Sequence, residues 1–225
     1  MLSKRLILAM IVATSLASVA SATEQLIRGD INPLIEKYGT VLRDAKWDSN
    51  SIEVCWEDAD NNFETFRTLT KKAIADTWEA HTVVKFVGWS KCEVQTKGIR
   101  ILVADVGPHV KVLGKYLANR PNGMVLNFIF QLTKCANGNT LEECIRKTAV
   151  HEFGHALGLA HEHLRNDAAP ECKDEVAGTL NGDVRGDWDI TEYDPKSIMN
   201  YCLKPWLGTG EPTKMDIEAV RNFYS

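Results

Sequence analysis

Apolar and polar positions along this chain change period several times, and each change marks an element. "SIEVCWE" (51–57) alternates, which is the period of a half-buried strand. Phe63, Phe66, Leu69, Ala73, Ile74 and Trp78 then recur at three- and four-residue spacing, the stripe of a helix that lies on a sheet. "TVVKFVGW" (82–89) reads as a second strand, and strand, helix, strand implies a parallel pair joined by a crossover. "GIRILVAD" (98–105) puts Ile99, Ile101 and Val103 on one face of a third. "HVKVLGK" (109–115) is short and charged, follows Pro108 and closes near Gly114, as an edge strand does. "GMVLNFIF" (123–130) is nearly all apolar, like a strand covered on both faces.

Thr140 with Glu143 three residues later has the form of a capping box and starts a helix at about Leu141. Leu141, Cys144, Thr148, His151 and His155 share one side of it, and Ile145, Ala149, Phe153 and Ala156 another, so this helix is apolar nearly all round and central. Gly158 suits its C-terminal cap, where a left-handed residue without a side chain fits. From there to residue 197 the composition shifts to Gly, Asp, Asn and Pro and predicts an irregular region. Thr213 and Asp216 repeat the helix-start pattern, with Ile217, Val220 and Tyr224 as the inward stripe of a terminal helix.

No repeat or low-complexity tract interrupts this order, and 225 residues suffice for one sizeable domain rather than two. Met1 to Ala22 carries Lys4 and Arg5, an apolar run and the small residues Ala20, Ser21 and Ala22, the pattern of a cleaved secretory signal. The apolar run is short for a membrane span of about 20 residues. Residues 23–45 read as an N-terminal extension or short propeptide, and 46–225 as the catalytic-sized domain. Export to an oxidising compartment makes Cys55, Cys92, Cys135, Cys144, Cys172 and Cys202 structural. Six cysteines allow fifteen pairings; the arrangement we expect joins Cys55 to Cys92, Cys135 to Cys144 and Cys172 to Cys202. Removing the signal leaves 24 basic residues (26 less Lys4 and Arg5) against 30 acidic ones, which speaks against nucleic acid or an anionic membrane as partner. We expect a secreted monomer, extracellular or, if the source is bacterial, periplasmic.

"HEFGHALGLAHEH" (151–163) holds four of the chain's six histidines. His151 and His155 stand one helical turn apart, so both imidazoles leave the same face and can grip one ion. His161 reaches that ion only if the helix ends and the chain turns back, and Gly158 sits where the turn is needed. Three neutral imidazoles suit one Zn2+ and leave a position open for water, as catalytic rather than structural sites do. Zinc draws the pKa of such a water toward about 7. Glu152, beside the ligands, is the candidate general base that takes the proton and returns it to a leaving amine. A structural zinc has no use for that carboxylate, which ranks a non-catalytic zinc-containing binding module below an enzyme.

The full spacing H-E-x-x-H-x-x-G-x-x-H, followed by Met199 in "SIMNY" (197–201), resembles the metzincin zinc metallopeptidases with their Met-turn. Glu162 directly after the third histidine, Arg165 in "HEHLRND" and Tyr201 two residues after Met199 resemble the astacin family of peptidases. "KAIADTWEAHTVVKFVGW" (72–89) is similar to that family's early helix and strand. The resemblance runs from about Trp47 to the C-terminus and is strongest from Val150 to Tyr201. It implies an α+β, zincin-like fold: a twisted five-stranded mixed sheet with two long helices above the cleft, and an irregular C-terminal subdomain ending in a helix. It also implies a zinc endopeptidase cutting internal peptide bonds, with His151, His155 and His161 as ligands and Glu152 and Tyr201 catalytic. Tyr201 would be a fifth, displaceable ligand that swings away to stabilise the oxyanion. Met199 would floor the metal, Glu162 would contact the trimmed N-terminus, and a protein or peptide substrate would lie extended along the edge strand His109 to Lys115.

"IRGDI" (27–31) resembles the FxGD motif of astacin prosegments and makes Asp30 the candidate latency ligand. Asn200, where astacins commonly have histidine, and a six-cysteine layout mark a divergent member. A hydrolase of cell-wall peptide cross-links would use the same chemistry, but the sequence shows no wall-binding module. His81 reads as a surface histidine, and His109 and His163 as supporting or surface ones rather than ligands.

Overall fold

The structure is a computed structural model that describes residues 41–59, 61–133, 135, 138–170, 186–203 and 209–225. The expected signal segment, Asp30 and Cys172 lie outside the described residues. Five strands form one sheet: β1 (Ser51–Trp56), β2 (Lys85–Lys91), β3 (Ile99–Val103), β4 (His109–Val110) and β5 (Met124–Leu126). Their order is β2-β1-β3-β5-β4, parallel throughout except that β4 runs antiparallel to β5 at one edge. The alternation in β1 buries Ile52 and Val54 and exposes Ser51 and Glu53, as its period requires.

Helix α1 (Glu64–Ile74) continues as a π-helical stretch, Ala75–Glu79, which brings the buried Trp78 indole to donate to the Val150 carbonyl at 2.9 Å. Helix α2 (Leu141–Ala156) begins on the expected capping box: the Thr140 hydroxyl accepts from the Glu143 amide at 3.2 Å, and the Glu143 carboxylate from the Thr140 amide at 2.7 Å. Such a cap contributes about 1 kcal/mol. Ile145, Ala149, Val150 and Phe153 are buried in the core, and Phe153 meets Phe86 of β2 edge to face at 4.8 Å. Burying a ring of that size is worth about 3 kcal/mol. The terminal helix α3 (Lys214–Tyr224) has its own capping box through Thr213 and Asp216, and buries Ile217, Val220 and Tyr224.

Two strands are shorter than their apolar patterns predict. In "GMVLNFIF" the strand ends at Leu126, because the fully buried Asn127 side chain accepts from the Ile129 and Phe130 amides, both at 2.8 Å, and bends the chain away. "HVKVLGK" pairs only through His109 and Val110; the left-handed Gly114 (φ 51°), against the Ala45 carbonyl, turns the chain into a 3-10 segment.

Disulfides Cys55–Cys92 and Cys135–Cys144 form as expected, with Cα separations of 4.8 and 6.0 Å. The first joins β1 to the chain leaving β2, and the second fastens the loop before α2 to that helix's first turn. Cys202 is disulfide-bonded as well. At the other end of the described chain, Val41 is fully buried and bridges Leu159 on one side and Trp188 on the other. Trp47 donates its indole N–H to the Ala156 carbonyl at 2.8 Å, across the end of α2.

Candidate metal centre and active site

Helix α2 carries the first two candidate ligands on its last turns, where His151 and His155 are both buried. The helix stops because Gly158 adopts a φ of 98°, and the Leu159 amide returns to the Gly154 carbonyl at 3.1 Å. That reversal delivers His161. Its Nε2 lies 3.2 Å from His151 Nε2 and 3.1 Å from His155 Nε2. Among the described residues these three histidines form the one group whose ligand atoms converge closely enough for a metal ion.

The opposite ring nitrogens show which atoms are free to ligate. His151 Nδ1 lies 2.8 Å from the Ile198 carbonyl, and His155 Nδ1 lies 2.7 Å from the Leu159 carbonyl. A carbonyl can only accept, so both Nδ1 atoms carry the proton and both Nε2 atoms present a lone pair to the centre. Burial, with His151 and His163 nearby, pushes His161 well below the ordinary histidine range and keeps it in its neutral, ligating form. Three neutral imidazole nitrogens converging in a buried pocket fit zinc. Glu152 is buried beside them on the same helix.

The turn that carries Met199 packs against the helix bearing the first two histidines. Met199 is buried, and a Cβ on Gly154 would meet its Sδ at 2.5 Å, so the glycine within the motif makes room for it. The Met199 carbonyl accepts from the Glu162 amide at 3.0 Å, which ties the third ligand's loop to the turn. Tyr201 begins a 3-10 turn, with its ring 4.2 Å from that of His161 and nearly parallel to that of His151 at 5.4 Å.

Several supporting residues make contacts that the sequence did not show. Asp216, at the start of α3, accepts from the Ser197 hydroxyl at 2.6 Å and the Ile198 amide at 3.0 Å, fixing the residue whose carbonyl orients His151. Burial pushes its carboxyl above the usual range, against the donors that favour the charged form. Glu162 is buried and accepts from the Asp194 amide at 2.8 Å; burial raises its carboxyl to about 8, although Arg165 stands 3.5 Å away. His163 is buried against the site and is not a surface residue, while His81 and His109 are exposed.

The model of the astacin peptidase family matches residues 134–173, the stretch that holds α2 and all three histidines. This segment resembles the metal-binding segment of astacin-like metzincins. Two solved structures of myroilysin share the chain's fold. One aligns over 83% of this chain and 98% of its own, with 22% identity and a TM-score of 0.58. The other aligns over 80% and 86%, with 18% identity and a TM-score of 0.53. High choriolytic enzyme 1, a hatching enzyme zinc-protease from Oryzias latipes, aligns at a TM-score of 0.44 and 18% identity over 80% of this chain and 92% of its own, too loosely to carry an argument. No curated protein sequence matches this chain. The family match and the histidine centre together support a zinc metallopeptidase.

Proposed function

We propose that this chain is a secreted endopeptidase that hydrolyses internal peptide bonds with one zinc ion and Glu152 as general base. The observation that carries the reading is the convergence of three Nε2 atoms at 3.1 and 3.2 Å beside a buried glutamate on the same helix. His151, His155 and His161 would hold a zinc ion, which would supply the Lewis acidity that brings water within reach of deprotonation near neutral pH. Glu152 takes the proton from the attacking water and passes it to the leaving amine. Tyr201, whose ring lies 4.2 Å from that of His161, would be a further, displaceable ligand whose hydroxyl could donate to the oxygen on which charge builds. Met199 closes the floor and keeps water from the underside of the site.

The substrate is a protein segment bound extended, and the support for its path is the outer side of β4, the sheet's edge beside β5. The disulfides suit an oxidising, extracellular setting, and no helix among the described residues is long and apolar enough to cross a membrane. Asp30 holds the unprocessed chain latent. Trimming that releases it stops before Val41, because Val41 pairs with both Leu159 and Trp188.

The test is hydrolysis of a denatured protein by wild type and Glu152→Ala, with and without a zinc chelator, in the Asp30→Ala background, with bound zinc measured in each. Cleavage by the Glu152-containing protein alone, abolished by chelation, while the variant still binds zinc, is the expected result. Equal cleavage by a zinc-loaded Glu152→Ala would reject Glu152 as the base.

A further inference from the structure

We propose that His163 is a positioning residue that sets the Tyr201 phenol against the three-histidine centre. Two separate contacts reach Tyr201 from this one side chain. His163 Nδ1 accepts the Tyr201 backbone amide at 3.3 Å, which fixes where the Tyr201 side chain starts. The His163 ring lies 5.1 Å from the Tyr201 ring at an interplanar angle of 17°, which limits the directions the phenol can take. The same imidazole lies 5.0 Å from that of His161, at 27°. It thus rests on the third ligand and on the tyrosine together, and links a loop following α2 with the turn that follows Met199.

His163 does not ligate: the converging group consists of His151, His155 and His161. At 1% exposure it is also too deeply buried to meet solvent or to bind substrate directly. What singles it out is the combination of an acceptor and a flat ring at one position. A phenylalanine offers the ring alone, and an asparagine offers an acceptor near the place of Nδ1 without the ring. A tyrosine that must alternate between ligand and oxyanion donor needs both a fixed origin and a stacking surface along which to move, and a misplacement of about 1 Å in such a group can cost about a hundredfold in rate.

This inference rests on the reading of Tyr201 as a displaceable ligand, and the test separates the two. Wild type, Tyr201→Phe, His163→Phe and His163→Asn are compared as full chains in the Asp30→Ala background, both as zinc proteins and with copper(II) in place of zinc. A phenolate on copper(II) gives a charge-transfer absorption that reports Tyr201 directly. The expected result is a band in wild type that is absent from Tyr201→Phe and at least halved in both His163 variants. Zinc content should remain one per chain, and kcat should fall about tenfold or more with KM within about twofold. A wild type without the band removes the Tyr201 reading and this proposal with it. A wild-type band retained in full by both His163 variants, with kcat unchanged, overturns the His163 role alone.

Discussion

The sheet side of the molecule, residues 51–156, and the irregular side, 157–213, build the same candidate metal centre by different means. The sheet side is built from strand ladders, two helices and apolar side chains such as Ile52, Trp78, Ile101 and Phe153. The irregular side has little regular structure among its described residues and is held by buried polar groups: Glu162, Arg165, Asp194, Ser197, Asn200 and, reaching in from α3, Asp216. Two ligands come from the first side and one from the second. Placing a ligand on a rigid helix needs packing and one carbonyl to orient each ring. Placing one on a loop needs every buried donor and acceptor around it satisfied, because an unmet buried group costs about 1–3 kcal/mol.

The largest expected effect comes from removing the irregular side's own ligand. His161→Ala should lose bound zinc and reduce kcat/KM by about three orders of magnitude, since several kcal/mol of charge stabilisation depend on the metal. Metal analysis beside a peptidase assay checks it.

A matched pair of core substitutions then sharpens the contrast. Ile101→Ala in β3 and Asp216→Ala in α3 should each cost about 3 kcal/mol in urea unfolding, the first through a cavity and the second by stranding the Ser197 and Ile198 donors. Only Asp216→Ala should also weaken zinc binding, by about tenfold or more, because Ile198 is what orients His151. Equal zinc affinity in the two variants would break the distinction between the sides.

The smallest effect belongs to a polar pair on the sheet side. The Arg100 guanidinium, bound to Glu57 at 2.8 and 2.9 Å, holds that carboxyl below the ordinary glutamate value of 4.5. A folded-state pKa below the unfolded one means stability that is present above about pH 4.5 and lost as pH falls through the folded value. Glu57→Gln should therefore be less stable than wild type by about 1 kcal/mol at pH 7, and the gap should close in acid. Denaturation across that range measures it.

The same division explains what could be read in the sequence. Periodicity gave β1, β3 and α1, because those elements bury one face and the apolar residues record it, while the Thr140 capping box and Gly158 gave the ends of α2. The motif gave His161 as well, since the spacing through Gly158 encodes the turn itself. The limits of β4 and β5 were hidden because side-chain hydrogen bonds from Asn127 and a left-handed Gly114 override an apolar run. The contacts of His163, Asp194 and Asp216 left no trace, since a buried polar residue in an aperiodic stretch reads like a solvated one until its partners are seen. Asp216 was visible only as a helix cap; its second task, holding Ser197 and Ile198, joins positions 18 and 19 residues apart.

The central claim is that one zinc is held by three imidazoles drawn from both sides of the molecule. X-ray absorption at the zinc edge of the full chain, for wild type and His161→Ala in the Asp30→Ala background, tests it most directly. The account predicts one zinc per chain with nitrogen and oxygen neighbours alone at about 2.0–2.2 Å, and no bound zinc in the variant. A sulfur neighbour at about 2.3 Å, or an unchanged zinc environment after loss of His161, would contradict it.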